Sequence, residues 1–311
     1  MSSSDGTSRE HIRSRHRQGM AALGSAARTT RGRVGLIVAG IVVLVAVVGP
    51  FIAPYSATSF VGAPFSTPST SFWLGTDTIG RDVLSRILNG GWVLLLMALA
   101  STVVGIVTGA AAGISAAYLR GRIDGVIMRT VDVILAFPSL VFALLLVSLV
   151  GPKLWLIVIA VGFSHAPQVA RVLRSSALDI SERDYVKAIE LQGVRSSRIM
   201  WSEIVPNLTS PLMVEAGLRL TYSIVIISGL AFLGFGQAPP APNWGYMINE
   251  NRIGLQINPW GVIVPALLVA LLTIGVNTFT DAVARVALGV ESRSADVTLS
   301  DEVSSASGAR S

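Results

Sequence analysis

The chain has 311 residues, of which 51% are hydrophobic and 14% charged, against about 25% charged in an ordinary soluble domain. That composition argues against a soluble globular enzyme and a disordered chain, and the 30 glycines carry no collagen-like period. The net charge is +6 with no cysteine, so disulfides, thiolate metal sites and cysteine nucleophiles drop out and the surplus of arginine needs a topological or a ligand explanation.

Residues 1–33 are polar, with seven arginines against Asp5 and Glu10, and read as a disordered basic cytoplasmic arm. Residues 34–53 form an apolar run too long for a signal-peptide core, hence a first transmembrane helix, and an extracytoplasmic segment follows to residue 90. Within residues 91–288 a five-helix core is expected from apolar runs at 92–117, 131–150, 154–169, 212–235 and 260–278. Residues 289–311 are serine-rich and read as a disordered cytoplasmic tail. Six spans with both termini cytoplasmic place 19 of the 24 basic residues inside, which accounts for most of the surplus as topology. Trp92, Trp155 and Trp260 then begin runs on the outer side, where indoles favour headgroups.

Gly105, Gly109 and Gly113 recur every four residues and line one helix face, as close helix packing in lipid requires. The spacing fits an interface with another subunit or packing within this chain, and does not choose between them. Asp132 lies beside Arg129 at a membrane boundary. His165 fits helix packing or, without neighbouring ligand spacing, a proton or metal role. Glu215 and Arg219, four apart on one helix face, fit either a substrate path that meets peptide termini or a self-neutralised structural pair.

Residues 171–210 form a mixed-charge cytoplasmic loop too long for a tight hairpin. Two short amphipathic helices are expected there. Asp179 and Ser181 are candidate N-caps before an apolar set of Tyr185, Val186, Ile189 and Leu191. Gly193 interrupts, and Ile199, Met200, Ile204 and Val205 follow until Pro206. A helix, glycine turn and helix of this kind suits a groove on another protein.

The run Asp184-Tyr185-Val186-Lys187-Ala188-Ile189, then Gly193, then Ile204-Val205-Pro206-Asn207, resembles the signature loop of bacterial ATP-binding-cassette (ABC) importer permeases. Lys187 and Ile189 depart from that pattern, standing where it has a glutamate and an alanine. Further segments resemble the second permease subunit of dipeptide, oligopeptide, nickel and glutathione importers. These are Phe72-Trp73-Leu74-Gly75-Thr76-Asp77 with Gly80-Arg81-Asp82, Met128-Arg129-Thr130-Val131-Asp132 with Ala136-Phe137-Pro138, and Phe232-Leu233-Gly234-Phe235-Gly236 with Pro242-Asn243-Trp244-Gly245. Several matches in order are more specific than any one.

The resemblance implies an all-α polytopic membrane protein with six transmembrane helices and the type I ABC importer permease fold, in the bacterial inner or plasma membrane. It implies these partners: a homologous second permease subunit, two ATPase subunits or one fused ATPase, an extracytoplasmic substrate-binding protein, and membrane lipid. Nucleic acid is not among them. In this reading Tyr185, Lys187, Ala188, Glu190, Gly193, Val194, Arg195 and Pro206 couple to the ATPase, and the cargo is di- or oligopeptide, with nickel chelates or glutathione as alternatives. ATP and Mg would sit on the partner ATPases, and the chain would bind no cofactor and catalyse nothing itself. The sequence agrees from its own side: it holds no G-x-x-x-x-G-K-[ST] phosphate loop and no paired-His spacing among His11, His16 and His165. A proton- or sodium-driven transporter would show more buried acidic residues than Glu215. A structural scaffold or an intramembrane enzyme would leave the long loop unexplained.

Overall fold

A computed structural model of the chain describes residues 23–237, 239–287 and 289, so most of the arm and nearly all of the tail lie outside the described residues. The described part is helical: α1 Thr30–Ile52, α2 Val83–Asn89, α3 Trp92–Leu119, α4 Gly121–Leu135, α5 Ser139–Val150, α6 Leu154–Ser181, α7 Asp184–Leu191, α8 Ser196–Ile199, α9 Thr209–Phe232, α10 Trp244–Asn251 and α11 Trp260–Ala287. Its β-structure is two isolated bridges, Phe60 with Arg81 and Thr76 with Asp82. Residues 23–28 are already helical. The Thr29 hydroxyl caps α1 by accepting from the Gly32 N–H at 3.0 Å, so helix begins ahead of the apolar run.

Five helical stretches are long and apolar enough to cross a bilayer, and the α4–α5 pair makes a sixth if it counts as one bent span. The run at 131–150, expected as one helix, is broken by 86° between α4 and α5. The break falls at Ala136-Phe137-Pro138, because proline lacks an N–H and disfavours helical geometry in the residue before it. Helix α6 also departs from expectation. It runs on from the apolar segment through Arg171 and Arg174 to Ser181, so Asp179 and Ser181 lie inside it and do not cap α7, whose N-cap is Arg183. Its charges stay helical because α4 neutralises them: Arg174 makes two bonds to Asp124, at 2.6 and 2.5 Å, and Arg171 meets Asp132 at 2.6 Å. Asp132 thus pairs with Arg171 on α6, not with neighbouring Arg129.

The centre of the bundle is the packing of α3 along α6. A Cβ added at Gly105 would lie 2.9 Å from the Gly162 carbonyl oxygen, one at Gly109 2.6 Å from that of Ala166, and one at Gly113 2.4 Å from that of Ala170. The stripe therefore packs within this chain, backbone against backbone. Helix α1 seats on α11 in the same way, where a Cβ at Gly35 would come within 2.8 Å of the Gly275 carbonyl oxygen.

At the end where α3 begins, residues 54–82 and α10 form a cap over α2. Trp244, fully buried, donates its indole N–H to the Ile87 carbonyl at 2.8 Å, which stoppers α10 onto α2. The Asn258 amide ties the segment by donating to the carbonyls of Leu74 and Thr76, both at 3.0 Å. Three buried charges, Asp77, Arg81 and Arg86, and the part-buried Glu250 lock the cap. Asp77 accepts Arg81 Nε at 2.7 Å and Arg86 Nη1, and Glu250 accepts Arg81 Nη2 at 2.5 Å and Arg86 Nη1 at 2.6 Å. Two carboxylates against two guanidiniums leave the quartet neutral. Burial alone would raise the Asp77 pKa, but the Arg81 backbone N–H, the Arg86 charge and the Arg81 side chain together hold it below the usual value of 3.8.

Two outcomes follow from this packing. Gly109→Ala should lower stability by about 1–3 kcal/mol, since its methyl would meet backbone. Gly40→Ala, where nothing lies within 4 Å of the added atom, should be tolerated. Thermal midpoints of the detergent-solubilised protein compare the two. Asp77→Asn should cost about 3–5 kcal/mol at neutral pH by leaving buried arginines unpaired. Because the folded Asp77 pKa is depressed, its contribution is fully present above the unfolded value of 3.8 and is lost as pH falls through the lower folded value. The wild-type midpoint should therefore drop more steeply in acid below about pH 4 than that of Asp77→Asn, and parallel curves would remove the electrostatic account.

Candidate functional site

The loop that joins α6 to α9 is built on a separate apolar cluster at the far end of the bundle. Ile114 and Ala117 of α3 and Ala177 and Ile180 of α6 form the floor, and Val186 of α7 with Ile199, Ile204 and Leu208 of the return segment press into it. Tyr118, Ile189, Val194, Met200 and Val205 pack around the edge. The loop is thus seated on the ends of the two helices that form the centre of the bundle.

Helix α7 buries only one side. At 100° per residue Val186 and Ile189 share that side, whereas Leu191 lies about 140° from Val186. The expected apolar set of Tyr185, Val186, Ile189 and Leu191 therefore splits: Leu191 is 90% exposed and Tyr185 is exposed too. Asp184, Lys187, Ala188 and Leu191 fall at i, i+3, i+4 and i+7 along the outer face, and all four are exposed. Glu190 is exposed as well. The outer face thus presents an exposed leucine beside a small alanine and a lysine.

Gly193 closes α7. Its φ of +74° is a left-handed conformation that a side chain disfavours, and its N–H donates to the Glu190 carbonyl at 2.9 Å. Nothing lies within 4 Å of a Cβ added there, so backbone conformation and not crowding calls for glycine. After α8 the chain stays helical in altered form, as a π turn over Met200–Ile204 and a 3₁₀ turn over Val205–Leu208 that carries Pro206. Pro206 therefore does not end the return helix; it changes the winding on the way into α9, because it cannot donate to the Ser202 carbonyl. Asn207 steadies this stretch by donating its side-chain amide to the Glu203 carbonyl and to the Tyr185 hydroxyl, the latter at 3.3 Å.

Glu215 and Arg219 lie inside the bundle on α9, 3.1 Å apart and both buried. The Arg219 guanidinium also lies 5.3 Å from the centre of the Tyr222 ring. One turn further, His165 Nε2 of α6 and Ser223 Oγ of α9 are 3.1 Å apart, and the Thr102 hydroxyl of α3 donates to Ser223 at 3.4 Å. Ser223 thereby links three helices, with His165 as its partner on α6.

The sequence reading missed two features. Trp201 is 74% exposed beside Arg195 and Arg198, and an unpaired aromatic in a charged loop was the available signal. Glu250, itself part-buried, completes the charged quartet from 169 residues beyond Arg81, a pairing that local patterns do not carry.

Comparison with known proteins identifies the family. Residues 105–287 match the family described as binding-protein-dependent transport system inner membrane component. The chain is 34% identical over 254 residues to a di/tripeptide transport system permease protein of Pseudomonas aeruginosa, covering 79% of this chain and 84% of that one. It is 32% identical over 249 residues to a dipeptide transport system permease protein of Alkalihalophilus pseudofirmus, covering 80% and 82%. It is also 34% identical over 233 residues to a glutathione transport system permease protein of Pectobacterium atrosepticum, covering 74% and 77%. A helical bundle with several bilayer-length apolar spans, broken at the α6–α9 loop by a seated helix and glycine turn, belongs to the family of binding-protein-dependent transport system inner membrane components, the polytopic permeases of bacterial ABC importers.

Proposed function

We propose that this chain is the permease subunit through which di- or oligopeptides cross the bacterial cell membrane, paired with a homologous second permease subunit and driven by two associated ATPases or one fused ATPase. An extracytoplasmic binding protein delivers the cargo, and ATP and Mg belong to the ATPases. The observation that carries the reading is the α7 stripe, with Leu191 exposed at its end, on a helix whose other side is fixed to the ends of α3 and α6. With that end of the bundle cytoplasmic, α7 is the coupling helix.

The mechanism follows from the seat. Lys187, Ala188 and Leu191, at i+3, i+4 and i+7 from Asp184, enter a groove on the ATPase as one face of a short helix. Tyr185 and Glu190 flank them, and Gly193 with Val194 and Arg195 sets the angle of the turn. When the ATPases close on nucleotide, α7 moves with them. Its buried side pushes through Val186 and Ile199 on Ile114, Ala117, Ala177 and Ile180, and so on α3 and α6 together. The altered winding around Pro206 carries the same displacement into α9. A packed apolar contact transmits such a push because it has little free volume in which to absorb it.

The peptide assignment is supported by relatives named for dipeptide and di/tripeptide transport, and a glutathione cargo by the one named for glutathione. Both are small molecules with peptide bonds and free carboxylates. Uptake of labelled dipeptide against labelled glutathione in cells that rely on this system separates them.

Leu191→Asp places a charge where an apolar anchor is needed. It should abolish co-purification of the co-expressed ATPases and lower uptake more than tenfold, while the permease pair still assembles. Retained ATPase with normal uptake would remove α7 from the coupling role. Glu215 and Arg219 stand in the proposed substrate region as a mutually neutralising buried pair, and that geometry supports a packing role. The double variant Glu215→Gln with Arg219→Gln should therefore transport with unchanged peptide preference. A shift in preference between acidic and basic dipeptides would instead put the pair in contact with substrate.

A further inference from the structure

The outer stripe of α7 leaves a second surface of the same loop unexplained. A groove of about 700 Å³ opens beside α8, lined by Val194, Arg195, Ser197, Arg198, Trp201 and Ser202. Its depth along the membrane normal can be read from its neighbours. Ile199 and Ile204, on either side of Trp201, are buried against Ile114 and Ala117 of α3. At 1.5 Å per residue Ala117 lies about 38 Å along α3 from Trp92. A hydrocarbon core is about 30 Å thick, so with Trp92 at one interface the groove lies at headgroup level in the opposite leaflet.

The lining chemistry suits that level. Trp201 projects away from the bundle, and indoles concentrate where hydrocarbon meets headgroups. Near the same end Arg120 pairs with Glu182, Arg171 with Asp132 and Arg174 with Asp124, while Arg122, Arg129 and Arg183 are exposed without an ion pair among the described residues but do not line the groove. Arg195 and Arg198 have no ion-pair partner among the described residues, and both are exposed. The Ser202 hydroxyl is committed to the Arg198 carbonyl at 2.7 Å, which leaves the two guanidiniums as the groove's charged donors. Two forked cations beside an interfacial indole match a phosphodiester whose glycerol and acyl chains continue into the bilayer.

We propose that this groove binds the phosphate of an anionic lipid headgroup, with Arg195 and Arg198 on the phosphate oxygens and Trp201 against the glycerol region. The proposal takes the loop's cytoplasmic place from the coupling reading but assigns a different occupant: the α7 stripe meets the ATPase, and the groove behind it meets lipid. Headgroup binding there would fix the return segment against the bilayer, so that motion of α7 drives α3 and α6 instead of swinging the loop.

The test uses the complete complex purified with its co-expressed partner subunits, stripped of lipid and titrated with phosphatidylglycerol, with phosphatidylcholine or with inorganic phosphate, the bound species being counted by native mass spectrometry. Phosphatidylglycerol should be retained in preference to phosphatidylcholine, and inorganic phosphate at millimolar concentration should not displace it. Arg195→Gln with Arg198→Gln should weaken phosphatidylglycerol retention by about thirtyfold, roughly fivefold for each cation at a membrane surface. Arg195→Lys with Arg198→Lys should keep most of it, which separates charge from a folding defect. ATPase content should stay normal in Arg198→Gln alone, a residue outside the coupling set, where lipid retention should still fall about fivefold, and it should be lost in Leu191→Asp. Equal retention of both lipids, or displacement by inorganic phosphate, would overturn the proposal. Loss of ATPase from the glutamine variant with lipid retention unchanged would assign the groove to the ATPase and overturn it too, while leaving the coupling reading intact.

Discussion

Helices in a bilayer gain little from burying apolar side chains against one another, because lipid is as apolar as they are. What this bundle uses instead is backbone proximity. Gly105, Gly109 and Gly113 let α3 lie directly on the carbonyls of α6, and Gly35 with Gly275 does the same for α1 and α11. Everything at either end hangs on the first of these contacts. The cap that holds the charged quartet continues into the start of α3 through α2, and the α6–α9 loop sits on the last turns of α3 and α6. Because the two helices touch along their backbones, a force applied at one end is carried along both with little slack.

The two ends handle polar groups in opposite ways. At the capped end, Asp77, Arg81 and Arg86 are buried and, with the part-buried Glu250, neutralise one another, while Asn243 caps α10 and Trp244 plugs it onto α2. Charges paired in this manner favour one arrangement strongly, since separating any of them leaves an uncompensated buried ion. At the loop end, Lys187, Arg195, Arg198, Leu191 and Trp201 stand exposed. The first arrangement suits a rigid closure and the second suits surfaces that another molecule completes.

Much of this was legible in the sequence, and the gaps have physical causes. Apolar runs of span length, the four-residue glycine spacing and the Gly193 turn are local patterns, and each appears as helix, close contact or left-handed residue. Helix α6 was read as ending early because Arg171 and Arg174 look like loop residues until Asp132 and Asp124, 39 and 50 positions away, are seen to neutralise them. Leu191 was placed on the buried face because it is apolar, although its angular position on α7 is opposite Val186. The bend at Pro138 was hidden because the apolar run continues across it, and hydropathy counts composition without regard to the missing N–H.

The misplacement of Leu191 bears on function, because an apolar residue on the wrong side of a short helix is evidence in its own right. Exposing a leucine to water on one small helix gives up roughly 1.5–3 kcal/mol relative to burying it. Val186 and Ile189 already supply the contacts that seat α7, and a polar residue at position 191 would leave them untouched. Folding of this chain alone therefore gives no reason for leucine there. The same reasoning applies to Trp201, which Ile199 and Ile204 bracket with buried side chains while it projects outward. Two large apolar groups thus face away from one seated loop on different sides. One surface reads as the anchor of a protein contact and the other, with Arg195 and Arg198 beside the indole, as the edge of a lipid site, so on the proposed reading the loop would be held between the machine that moves it and the membrane that restrains it.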